Sequence, residues 1–223
     1  SACSHAATAF CATAAGSVTA GVAETSADAA SADAGAAVRS RADGAWALVF
    51  GGESEEARAA VCAQLAERSG GTMLDVGVFV AIAQDGQESG QPGEASLLAE
   101  FRHLQQSGGL FTAVHLVAMM RVAATRYPPP YVLNGMPRMP SQLESFEEAF
   151  GRLPVALELE GEPPTDAARA ARNAMRKKAD GQVCPLPAGM ADAVVAGLAA
   201  FKAAGLPCAT AGPEEGAAST TDG

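Results

Sequence analysis

Basic residues are few in this sequence, 15 lysines and arginines against 25 aspartates and glutamates. No lysine occurs before Lys177 and no arginine before Arg39, and the formal net charge is −10. Between Gly44 and Gly161 there are 14 acidic residues against 7 arginines. An acidic surface repels polyanions, so nucleic acid and anionic membrane surfaces are not expected as partners. No apolar run approaches the roughly 18–20 residues that span a bilayer. The five cysteines (Cys3, Cys11, Cys62, Cys184, Cys208) are odd in number and form no CxxC. That counts against a disulfide scaffold or a zinc site and points to a reducing, cytoplasmic compartment. His5, His103 and His115 lack metal-ligand spacing, so His103 and His115 are expected on helix surfaces or half-buried, and no metal is expected. Aromatic residues make up only 5% of the chain, and much of its apolar content is alanine. A core must therefore be concentrated, and the large apolar residues crowd between Trp46 and Leu159.

Three regions follow. Residues 1–43 are rich in Ala, Ser, Gly and Thr, with Phe10 as the only aromatic. Such a segment buries too little to offset its chain entropy, and a low-complexity linker is expected. A transit peptide is the rival reading, against which Glu24, Asp28, Asp33 and Asp43 count. Residues 44–211 carry the folded domain, and 212–223 read as a polar tail. Within the domain, "WALVF", "YVLNG" and "VALEL" are apolar runs suited to parallel strands buried on both faces. Helices are expected between them. Leu97, Leu98, Phe101 and Leu104 would line the inner face of one, and Val114, Val117 and Met120 that of another. Thr165 is a natural N-cap, and "LPCATA" reads as a final edge strand. The alternation predicts an α/β fold: a three-layer parallel sheet with helices on both faces.

One stretch carries more chemical information than the rest. "LVFGGESEEARAAVCAQLA" has the outline of a strand, a glycine turn and a helix, the arrangement in which many proteins hold a nucleotide's phosphates. Its chemistry differs. Glu53, Glu55 and Glu56 occupy the turn and the helix start, with Ser54 as a plausible cap. Three carboxylates there would satisfy the helix N-terminus from within the protein. They would also oppose a triphosphate by about 1–4 kcal/mol per close charge pair.

"LVFGGESEEARAAVCAQLAERSGGTMLDVGVFV", "SGGLFTAVHLVAMM" and "YVLNGMPRMPSQLESFEEAFG" follow one another in an order that resembles adenylate kinases and related nucleoside monophosphate kinases of the P-loop kinase fold. The resemblance runs from about Trp46 to Gly161. It implies that Gly51 and Gly52 belong to the phosphate loop, that Ala57 stands where the family has its lysine, and Ala59 where it has threonine. Arg58 is the nearest substitute, one residue late and so turned about 100° along the helix. The resemblance places Gly77 in the monophosphate-binding turn, where Asp75 to Ala81 replace a Ser-Thr-Gly-Asp-Leu-Leu-Arg stretch. Arg138 and Gln142 stand where the family holds the monophosphate's phosphate and base, and Asn134 replaces the aspartate linked to the metal site. For Arg138, a structural role tying a loop to a helix is the other reading.

In place of a full lid, the sequence offers one helix with Arg169, Arg172 and Arg176 on one face, followed by Lys177 and Lys178. The lid is expected to be reduced or absent. The stripe reads as a solvated or partner-docking face, or as a remnant phosphate clamp. With no catalytic residue left in the motifs, the sequence predicts an inactive adenylate-kinase-like domain that needs no cofactor and binds other proteins of a larger assembly. The resemblance extends to such domains embedded in ciliary, axonemal assemblies. The alternative is an active or nucleotide-sensing kinase using ATP and AMP with Mg²⁺, through Arg58 and Arg138.

Overall fold

The computed structural model describes residues 45–88, 90, 93–163 and 165–209. The linker expected at 1–43 and the tail expected at 212–223 lie outside the described residues.

Apolar runs become strands where they can be buried on both faces. β1 (Trp46–Gly51), β3 (Tyr131–Asn134) and β4 (Val155–Leu159) are the three runs identified in the sequence. β1 lies between the other two and pairs parallel with both, Leu48 facing Leu133 on one side and Ala156 on the other. β2 (Thr72–Leu74) and β5 (Val183–Leu186) complete the sheet. The order is β2-β3-β1-β4-β5, and each paired register is parallel. The α/β expectation is met.

Seven helices among the described residues cover the sheet: α1 (Glu55–Ser69), α2 (Val76–Asp85), α3 (Glu94–Ser107), α4 (Ala113–Arg126), α5 (Pro140–Phe150), α6 (Asp166–Lys178) and α7 (Met190–Ala203). The period of two in a strand divides them into two layers. Trp46, Leu48 and Phe50 point to one side, into a core shared with Phe79 of α2, Phe101 of α3, Met119 of α4, Phe146 of α5 and Met175 of α6. Ala47 and Val49 point to the other, against Val61 and Leu65 of α1 and Val194 and Phe201 of α7. Each fully buried large side chain contributes about 1.5–3 kcal/mol. Ser54, Asp75, Thr112 and Thr165 cap the helices that follow them, so four helix starts use the side chains most suited to that task.

Two expectations need correction. The last edge strand is Val183–Leu186 and not "LPCATA", whose described residues form no strand. β5 contains Pro185, which supplies no N–H to a ladder and is tolerated only because β5 is an edge. Val114 does not face the core: it is 72% exposed, while Leu116, Met119, Met120 and Ala123 make the buried stripe of α4.

Candidate functional site

The C-terminal ends of β1, β3 and β4 converge on one cleft, as the ends of adjacent parallel strands do. β1 finishes in Gly51 and Gly52, both at φ +80, a region that L side chains rarely occupy. The turn is also crowded. A Cβ on Gly51 would sit 2.7 Å from the Leu159 carbonyl oxygen, and the Gly52 N–H donates to that same oxygen at 2.8 Å.

The helix that follows is capped from within. Ser54 Oγ accepts from the Ala57 N–H at 3.1 Å. The Glu56 carboxyl is held below the usual glutamate range, chiefly by its own backbone N–H and then by the Ser54 hydroxyl. Two N–H groups of the helix start, those of Ala57 and Glu56, are thus engaged by the loop's own side chains. Ala57 is exposed and carries no amine.

Arg58 is where sequence reasoning was wrong about direction. Its side chain does not turn away from the loop but folds back across it. Nε donates to Asn134 Oδ1 at 2.9 Å and Nη1 to the Gly51 carbonyl at 3.2 Å. The length of arginine explains this: the backbone position is rotated, and the long stem reaches back. The guanidinium lies on Gly135, where a Cβ would come within 2.8 Å of Nε. Burial, and after it the charge of Arg138, lowers the Arg58 pKa below the usual arginine value.

Arg138 meets the same cleft from the β3–α5 turn. Its Nε donates to the Gly135 carbonyl at 2.8 Å, and its Nη2 lies 3.6 Å from Glu55 Oε1 with both groups exposed. Gln142 is occupied otherwise: its Oε1 accepts from the backbone N–H of Arg138 at 2.7 Å and of Met139 at 3.3 Å. It caps α5 and does not line the cleft. Gly77 is likewise apart, in the first turn of α2 beside the capping carboxylate of Asp75. The structure therefore brings Gly51, Gly52, Arg58 and Arg138 together and leaves Gly77 and Gln142 outside.

The arginine stripe of α6 is not a uniform solvated face. Arg172 turns inward, donating through Nε to Glu158 Oε1 at 2.5 Å, through Nη1 to the Gly161 carbonyl at 2.6 Å and through Nη2 to the Leu159 carbonyl at 3.2 Å. Arg176 donates twice to the same carboxylate, at 2.7 and 2.5 Å. Arg169 pairs with Glu162 and Asp166, and Lys178 with Glu144; Lys177 is exposed. Glu158 is the residue that the sequence reading missed. It is a buried carboxylate in β4. Burial alone would raise its pKa, but the hydrogen bonds of Arg176 and Arg172 outweigh that and hold it below the ordinary value. The available signal was an acid inside an apolar strand followed by arginines on the next helix.

Together these groups bound a cleft of about 290 Å³, with Phe50, Pro137, Pro163 and Met175 as apolar walls and Arg58, Arg138, Arg172, Glu53 and Glu55 as its charges. That is at the small end of ligand pockets, roughly 300–1,000 Å³. The residues present do not fit a magnesium–triphosphate. Asn134 offers a neutral oxygen already bonded to Arg58, the Ser54 hydroxyl caps a helix, and Glu53 and Glu55 would face the phosphates at close range. Among the described residues no group of three or more His, Cys, Asp or Glu is placed to hold a metal. Among them, too, no helix is long and apolar enough to cross a membrane.

No family model and no curated protein matches the sequence. Among solved structures, a gluconokinase from Sinorhizobium meliloti 1021 is similar at 13% identity, with 72% of this chain and 94% of that chain covered and a TM-score of 0.39. What carries the fold assignment is the five-stranded parallel sheet itself, with helices on both faces.

Proposed function

We propose that this chain is an adenylate-kinase-like domain that transfers no phosphoryl group and serves as a protein-interaction module in a larger assembly. One observation carries the reading. The loop that would bind a triphosphate is closed by its own groups, with Ser54 and Glu56 taking helix donors and an exposed alanine at the position of the resemblance's lysine. Phosphoryl transfer depends on positioning and on positive charge around the γ-phosphoryl oxygens. Here the nearest cations are tied to protein acceptors. Embedding in a ciliary or axonemal assembly is the setting that the sequence resemblance supports.

A second reading has one observation in its favour: Arg58 reaches the cleft after all. On that reading Arg58 and Arg138 would act on ATP and a nucleoside monophosphate. A coupled assay with ATP and each nucleoside monophosphate separates the two. The first reading expects no turnover. Turnover that follows the protein through purification and disappears in Arg138→Ala would establish the second.

A further inference from the structure

One imidazole ring ties the turn between α3 and α4 in two directions. His115 stands at the third position of α4, and its Nδ1 accepts from the Thr112 backbone N–H at 3.2 Å. Thr112 Oγ1 in turn accepts from the His115 backbone N–H at 3.4 Å, which closes a reciprocal cap. Such a cap ordinarily uses Glu or Gln at the third position, and their side-chain oxygens accept at neutral and mildly acidic pH alike. An imidazole nitrogen accepts only while it carries no proton. On the far side of the ring, Nε2 lies 3.1 Å from Glu100 Oε1 of α3. A carboxylate oxygen accepts, so Nε2 carries the ring hydrogen and Nδ1 is bare.

Protonation acts on these contacts unequally. A hydrogen on Nδ1 turns the acceptor into a donor that faces the Thr112 N–H. Thr112 Oγ1, 3.0 Å from Nδ1, can accept the new hydrogen, but the Thr112 N–H then loses the ring as its acceptor. The positive ring also stands at the positive end of α4, whose first turn carries no acidic residue. The Glu100 contact survives as an ion pair, and with Glu100 57% exposed it offsets little. Among the described residues Glu100 is the only carboxylate within ion-pair distance of the ring. His103, three residues further along α3, is exposed. Phe111 anchors the same turn by stacking on Phe101, with ring centroids 4.0 Å apart. Leu110 and Val114, on either side of Thr112, are 89% and 72% exposed. We infer that His115 is a proton-sensitive latch: neutral, it closes the cap of α4, and protonated, it releases the Thr112 N–H and loosens the turn that carries Leu110 and Val114. The latch is separate from the cleft and does not depend on what the cleft binds.

The test follows the ¹⁵N-labelled full chain by NMR from pH 8 to pH 5. Ring nitrogen shifts should show His115 as the Nε2–H tautomer at pH 8 and protonated by pH 5. Over the same range the Thr112 amide, its exchange normalised to the intrinsic rate at each pH, should lose protection about threefold to tenfold, the effect of one hydrogen bond of ordinary net strength. His115→Gln keeps an acceptor that does not protonate, so Thr112 should stay protected at both ends of the range. His103→Gln should behave as wild type, and Trp46 fluorescence checks the fold of both variants. An Nδ1–H tautomer at pH 8, a ring still neutral at pH 5, a loss of Thr112 protection under threefold, or an equal loss in folded His115→Gln overturns the proposal. The wild-type ring and amide signals decide the question if that variant does not fold.

Discussion

Replacing Glu158 by glutamine isolates the ion pairs that join α6 to the sheet. The wild-type carboxylate is 5% exposed and answers Arg172, itself 13% exposed, and Arg176, which is 52% exposed. Removing one partner of a buried pair costs about 3–5 kcal/mol, because the other charge stays desolvated. Arg176 can rehydrate, and Arg172 keeps two carbonyl acceptors, so the cost falls below that range, to about 2–3 kcal/mol. With a urea slope near 2 kcal/mol/M, the midpoint should fall by roughly 1–1.5 M. Trp46, the single tryptophan, is buried at the start of β1 and reports the transition by fluorescence. Because the folded carboxyl titrates below the ordinary 4.5, its contribution is complete above that value and is lost as pH falls through the folded value. The gap between wild type and variant should therefore hold from pH 7 to 5 and close below about 4.5. Glu162→Gln, at an exposed pair with Arg169, should change stability by less than about 0.5 kcal/mol. A drop in midpoint under about 0.3 M for Glu158→Gln at pH 7 would refute the reasoning.

Met119→Ala should destabilise by about 2–5 kcal/mol, since that side chain is fully buried. Val114→Ala, on the exposed side of the same helix, should lie within about 0.5 kcal/mol; urea denaturation of both variants tests the orientation of α4, and equal costs would contradict it. The Cys62 thiol, pushed up to about 12 chiefly by burial, should resist alkylation at pH 8 under native conditions, as read by mass spectrometry of its peptide. Unfolding frees this thiol to ionise, so stability should fall as pH rises past the ordinary 9.0. Ala57→Lys alone should not confer turnover in the coupled assay, because Glu53, Glu55 and Glu56 still oppose the triphosphate.

The central strands were legible because burial on both faces leaves a run of apolar residues, as in "WALVF", with no competing period. β5 was not, because Cys184-Pro185 breaks the pattern of a strand, and only its edge position makes that acceptable. The outward turn of Val114 was missed because three apolar residues at helical spacing fit two neighbouring faces of α4, and packing against α2 and α3 decides between them. At the site, the loop's substitutions were readable residue by residue. The path of Arg58 was not, since a flexible four-bond stem can undo a 100° rotation of its backbone. Glu158 escaped for a related reason: its partners are 14 and 18 residues away on α6, and only the fold brings them to it.

The central claim is that the loop does not accept a nucleoside triphosphate. Calorimetric titration of the purified chain with magnesium–ATP, AMP and a bisubstrate dinucleotide inhibitor addresses it most directly. The account predicts no saturable heat with ATP or with the bisubstrate compound. Saturable binding of either at micromolar concentration, weakened in Arg138→Ala, would contradict it.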